Sequence, residues 1–186
     1  MKRNTASDLA FTAMGAALIA VCSWISVPAF LPSLVPFTLQ TFAVCLVTAV
    51  LGLRLGVGSV GIYLLLGAIG APVFAGFKGG FAALLGTTGG YLVGFLFTAL
   101  IVGLAAERMG RSFRVLLPAM AAGVLACYAF GTAWFVLVYT RTSGAIGVGT
   151  ALAWCVLPYL IPDAVKISLA AFLTGRIAPL VRRGRA

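Results

Sequence analysis

Residues 157–173 read LPYLIPDAVKISLAAFL, an apolar segment interrupted by one acid and one base, Asp163 and Lys166. Continued to Ala178, the segment is long enough to cross a hydrocarbon core about 30 Å thick. An ionisable side chain in such a core is costly unless it is paired or used, so it marks a functional position. Asp163 and Lys166 are three apart and share one helix face. The pair reads either as a mutually neutralising bridge or as half of a polar pocket for a small ligand.

The rest of the chain has the same character. Its 186 residues are 62% hydrophobic and 9% charged, with a mean hydropathy of +1.16. That composition belongs to an all-α polytopic membrane protein. The apolar runs predict six transmembrane helices at 8–27, 38–53, 57–70, 83–105, 115–139 and 157–178, in one transmembrane domain over residues 1–186. The opening MKRNTASDLAFTAMGAALIAVCSWISV carries an apolar run longer than that of a cleaved signal peptide, and reads as a retained first helix. Pro28, Pro32 and Pro36 favour an extended connection after it. Pro158 and Pro162 interrupt the last apolar stretch. A short interfacial or re-entrant piece over 148–157 is therefore expected, with the true span starting near Leu157.

The formal net charge of +10 does not indicate a nucleic-acid partner. The basic residues lie between hydrophobic runs, with no basic domain and no aromatic interleaving. They sort by side instead. With the N-terminus inside, Lys2, Arg3, Arg54, Arg108, Arg111, Arg114, Arg176, Arg182, Arg183 and Arg185 fall in the cytoplasm, against Lys78 and Arg141 outside. This is a strong positive-inside bias, and it places both termini in the cytoplasm.

Several chemistries are not written in the chain. Cys22, Cys45, Cys127 and Cys155 are scattered through apolar runs without a C-x-x-C pair, and there is no histidine. They read as small core residues, not as metal ligands or a redox pair. No phosphate-binding loop and no nucleophile–base arrangement occur. The chain has little room for the paired inverted repeats of a typical secondary transporter. Any uphill transport would draw its energy from a partner.

The six-span orientation puts Gln40, Thr87, Thr88, Tyr91, Asp163 and Lys166 in the outer half of three segments. Convergent polar groups of this kind suit a small-molecule pocket, here opening outward and capped by loops 28–37 and 71–80. Tyr91 can stack on an apolar ligand while its hydroxyl donates a hydrogen bond. Gln40 requires a partner for its amide, from a neighbouring backbone or from a ligand. Lys78 reads as a solvated loop cation that can also attract an anionic ligand. In GTTGGY (86–91), Gly86, Gly90 and Gly94 recur every four residues and favour close helix approach. Ala10, Ala13, Ala17 and Ala20 form a small-residue stripe on the first helix. It suits either an internal contact or a contact with a different membrane subunit.

Four segments then occur in order: VPFTLQTFAVCLVTAVLG (35–52), IYLLLGAIGAPVFAGFKGG (62–80), LLGTTGGYLVGF (84–95) and LPYLIPDAVK (157–166). Together they resemble the BioY family, the biotin-specific substrate-binding (S) components of energy-coupling factor (ECF) transporters. The resemblance runs over residues 8–178. It implies an ECF S-component fold of six helices in a prokaryotic cytoplasmic membrane, and tight binding of biotin from outside. It also implies a transmembrane coupling (T) subunit and two cytoplasmic ABC ATPases as partners, no ATPase in the chain itself, and no cofactor or metal. The family's docking surface is matched by Ala13 and Ala17. Its polar ligand contacts fall on Gln40, Tyr91, Asp163 and Lys166, and Phe37 and Thr38 would belong to the lid. One position departs from the pattern: bulky Phe77 and charged Lys78 stand where the family has small or polar residues. Biotin's ureido N–H groups suit Asp163. Lys166 suits either the ureido oxygen or the carboxylate. The alternatives are an S component for another vitamin and a self-sufficient solute facilitator.

Overall fold

The computed structural model describes residues 5–27 and 35–184, with side chains as far as Val181. Lys2, Arg3, Arg185, the side chains of Arg182 and Arg183, and residues 28–34 of the expected lid lie outside the described residues.

The helices are α1 (Thr5–Trp24), α2 (Gln40–Leu51), α3 (Leu53–Ala68), α4 (Phe81–Leu85), α5 (Gly89–Arg108), α6 (Phe113–Thr142), α7 (Val148–Cys155) and α8 (Leu157–Gly184). A short antiparallel ribbon pairs β1 (Ser26–Val27) with β2 (Phe37–Thr38). Four of the helices, α1, α5, α6 and α8, are long and apolar enough to cross a membrane.

The second and third expected spans take a different form. They meet at Gly52, not at Arg54–Gly56, and both are short for spans, at 12 residues for α2 and 16 for α3. At 1.5 Å per residue they reach about 18 and 24 Å, less than the hydrocarbon thickness. Gly52 makes the corner because it adopts φ +86°, a conformation open to glycine. Side chains from the end of α5 and from the α5–α6 connection cap both new ends. Glu107 accepts a hydrogen bond from the Leu53 N–H (2.9 Å), and Arg111 Nε donates to Ala49 O (2.7 Å).

The fourth expected span, 83–105, is also broken. α4 stops at Leu85, an extended Gly86 follows, and α5 begins at Gly89. A side chain at Gly89 would collide with the Leu84 carbonyl, so the sharp turn requires glycine there. Trp134 Nε1 donates to the freed Gly86 carbonyl (3.0 Å) and anchors the break against α6. Within α5, Gly90 and Gly94 face Trp134 and Cys127 of α6 at distances that leave no room for a methyl group. Gly90 and Gly94 of the repeat therefore pack helices as expected, whereas Gly86 lies in the break. The short piece before the last span also appears as expected, with α7 ending at Cys155 and α8 starting at Leu157.

α2 is the centre of the bundle. Gln40 and every residue from Ala43 to Leu51 are buried, against α1, α3, α5, α6 and α8. A helix apolar on all sides belongs in an interior. Around it, Leu9, Leu65, Ile69, Ile161 and Leu180 stay exposed, an outer surface suited to lipid. The helices run so that Gly52, Glu107, Arg111 and Thr174 gather at one end. Trp24, residues 35–38, the 71–80 loop and Tyr159 gather at the other.

Candidate functional site

The site is built on the first turns of α8. Leu157 and Pro158 open the helix, where proline's missing N–H costs nothing. This start places Asp163 and Lys166 about two turns in, facing the bundle. Both are buried, at 5% and 7% exposure, and their charges meet: Lys166 Nζ lies 2.8 Å from Asp163 Oδ1. Tyr128 of α6 donates its hydroxyl hydrogen to Asp163 Oδ2. Lys166 also donates to the Thr38 carbonyl (2.6 Å) and lies 3.9 Å from the centre of the Phe37 ring. Each charge thus has an ionic partner and further polar or ring contacts, which offsets burial.

A second polar group stands at the start of α2. Gln40 Oε1 accepts from Thr38 Oγ1 (2.9 Å), its backbone N–H bonds the same hydroxyl, and its Nε2 donates to Tyr63 OH. Tyr63 is fully buried and meets Phe74 edge-on at 5.5 Å. Phe74 belongs to the 71–80 loop and fills the space a side chain at Gly67 would need. The loop is tied further to α1, because Ser23 Oγ donates to Val73 O and Trp24 Nε1 to Pro72 O (2.8 Å). On the facing side, Tyr159 of α8 bonds Val35 O and stacks on Phe37 at 6.2 Å. Tyr91 completes the polar wall in the first turn of α5. Its ring lies against Gly131, where no side chain would fit, and its hydroxyl pairs with Thr132 Oγ1 (2.9 Å).

These groups surround a cavity of about 120 Å³. Thr38, Gln40, Tyr91, Asp163 and Lys166 line it, with Tyr128, Tyr159, Lys78 and Thr88. The apolar wall includes Phe74, Leu92, Phe95 and Val124. Cys127 and Cys155 also face the cavity. Burial pushes the thiol pKa of Cys155, at the end of the short α7, upward, so it stays a neutral packing group. Among the described residues no group of three or more acids and thiols gathers that could hold a metal ion. A largely apolar cavity with a paired acid and base on its wall suits a neutral, flat polar group with adjacent donors and an acceptor.

The structure brings five of the six expected ligand residues to the cavity wall. Phe37 stands one layer back, with its ring under Lys166 and against Tyr159. Residues 35–36 and the 71–80 loop border the cavity as expected, and Thr87 does not line it. Asp163 and Lys166 form an ion pair and also line the cavity. On α1, Ala10, Ala13 and Ala17 are exposed, whereas Ala20 is buried. The small-residue face is therefore free over three of its four alanines.

Sequence reasoning alone does not single out Tyr128, Tyr159, Tyr63 or Thr132. Tyr128, Gly131 and Thr132 follow the spacing i, i+3, i+4, so they share one face of α6 with buried Val124 and Cys127. A polar residue on the small-residue face of a membrane helix is the available signal. Its partner, Asp163, is 35 residues away in the chain, and no local pattern joins the two.

Comparison with known proteins bears on the family and the fold. A sequence model described as the BioY family matches residues 1–183. A biotin transporter BioY from Thermotoga maritima is 42% identical over 164 residues, covering 88% of this chain and 91% of that protein. A probable biotin transporter BioY from Pyrococcus horikoshii is 38% identical over 172 residues, covering 92% and 96%. Among solved structures, the S-component for biotin from an ECF-type ABC transporter superposes with a TM-score of 0.82 at 27% identity, covering 95% of this chain and 93% of that one.

Proposed function

The chain belongs to the BioY family, and we propose that it captures biotin from outside the cell as the S component of an ECF-type transporter. The observation that carries this reading is the buried Asp163–Lys166 pair on the wall of a cavity whose other wall is apolar. Biotin's ureido group has two N–H donors and one strong acceptor, and its thiophane ring is apolar. Asp163 keeps lone pairs beyond those used by Lys166 and Tyr128, and these accept a ureido N–H. Lys166 has three donors, two of which go to Asp163 and Thr38. The third is available to the ligand's acceptor.

In this reading all six helices α1, α2, α3, α5, α6 and α8 belong to the membrane domain. The short α2 and α3 are sheltered inside the bundle, where their length need not match the lipid. The end carrying Arg54, Arg108, Arg111, Arg114 and Arg176 faces the cytoplasm with both termini, and the cavity opens outward. The exposed Ala13–Ala17 face of α1 receives a transmembrane coupling subunit, and two cytoplasmic ATPases supply the energy. The membrane is the cytoplasmic membrane of a prokaryote.

Equilibrium binding of labelled biotin to the chain purified alone in detergent tests the proposal, with thiamin and riboflavin as competitors. Saturable binding displaced by biotin and not by the other two vitamins is expected. Displacement by thiamin or riboflavin, or no binding by a folded sample, would sink the assignment.

A further inference from the structure

We propose that Lys78 reads the carboxylate of the bound ligand, so that this chain selects the free acid over its neutral amide; this rests on the biotin reading above. Three acidic side chains occur in the whole chain: Asp8, Glu107 and Asp163. Asp163 is held by Lys166 and Tyr128. Glu107 caps α3 at the far end of the bundle. Asp8 lies sixteen residues before Trp24 on α1, about 24 Å down the helix from the loop that carries Lys78. None of the three is therefore placed to neutralise Lys78.

The charges lining the cavity sum to one uncompensated positive charge. Asp163 and Lys166 cancel, and Lys78 remains. Lys78 is exposed and also lines the cavity, so it stands where the cavity meets solvent. Asp163 and Lys166 are buried on its wall. A ligand with its ureido group on that pair sends its valerate chain toward Lys78. Of the two roles open to Lys166, this leaves the ureido oxygen, because its charge is already matched by Asp163.

The backbone around Lys78 is set in advance. Phe74 N–H bonds the Lys78 carbonyl (2.9 Å), and Gly80 N–H bonds Gly67 O (2.7 Å). Phe77 turns outward and stacks on Trp24 at 5.2 Å. It is the one non-glycine residue with positive φ, +57°, among the described residues. The neighbours thus point opposite ways: Phe77 anchors the loop to α1, while Lys78 borders the cavity. The bulky and charged pair that departs from the family pattern forms one unit, an anchor and a reader.

The test compares biotin and biotinamide, the neutral carboxamide, on wild type, Lys78→Gln and Lys78→Arg. Wild type should prefer biotin. Lys78→Gln should bind biotin about tenfold more weakly, the scale of one charge-assisted hydrogen bond. Its biotinamide affinity should equal that of wild type, which also shows that the variant is folded. Lys78→Arg should keep the preference. An unchanged biotin-to-biotinamide ratio in Lys78→Gln, or no preference in wild type, overturns the Lys78 assignment and leaves biotin binding standing. Failure of wild type to bind either compound overturns the biotin reading and this assignment with it.

Discussion

Removing one charge of the Asp163–Lys166 pair should be worse for the fold than removing both. At 2.8 Å, with an effective dielectric of about 20, the attraction is about 6 kcal/mol gross. Desolvation of two buried ions offsets much of it, so the net worth of the pair is small. The single variants differ from the pair in kind. Lys166→Met leaves a buried carboxylate with Tyr128 but no counter-charge, and Asp163→Asn leaves a buried ammonium with neutral acceptors and the Phe37 ring but no counter-charge. Breaking one side of a buried pair typically costs about 3–5 kcal/mol. Each single variant should therefore unfold at clearly lower temperature in detergent. The double variant Asp163→Asn/Lys166→Met should recover most of that loss. Biotin affinity should behave differently, falling at least about a hundredfold in the double variant, the scale of removing two charge-assisted hydrogen bonds to the ligand together. The assays are thermal unfolding and equilibrium binding on the same preparations. Single variants as stable as wild type would refute the buried-pair argument. A double variant with wild-type affinity would refute the assignment of the pair to the ligand.

Tyr128→Phe removes one hydrogen bond to the Asp163 carboxylate and should weaken biotin binding by about tenfold; unchanged affinity in a binding titration would remove Tyr128 from the site. Ala13→Trp and Ala17→Trp add bulk to an exposed face of α1. Both should leave biotin binding by the isolated chain intact and abolish uptake by cells that supply the coupling subunit and ATPases, so sustained uptake would move the docking face elsewhere. Gly67→Val places carbon atoms where the Phe74 ring sits. It should loosen the 71–80 loop and speed biotin release, read as a faster dissociation rate by stopped-flow, and an unchanged rate would show that the loop does not retain the ligand.

Much of this site is legible in the sequence because its strongest signal is local. Asp163 and Lys166 advertise themselves by being charged in apolar sequence, and their three-residue spacing ensures that they can meet on a helix. Pro158 marks the boundary between α7 and α8 for an equally local reason, whereas Pro162 lies inside α8 and does not interrupt it. The spans centred on α2, α3 and α5 are harder. Hydropathy reports whether a segment prefers an apolar setting, and that preference is the same for lipid and for the middle of a bundle. α2 is apolar because five other helices surround it, so its twelve residues mimic a span without the length of one. The break at Gly86 depends on Trp134 reaching back from α6 to the freed carbonyl, a contact across 48 residues.

The sequence by itself determined that the chain lives in a membrane, which end carries its positive charge, and which acid and base are too costly to be idle. These follow from composition and short-range spacing, which transfer free energies and helical geometry act on directly. Tertiary structure alone decided that Tyr128 completes the Asp163 carboxylate, that Phe37 supports Lys166 from behind, and that Lys78 is left at the cavity without an acid to neutralise it. Each depends on which helices pack side by side, and close packing is a property of the whole bundle, set by small residues and shapes that no single segment contains.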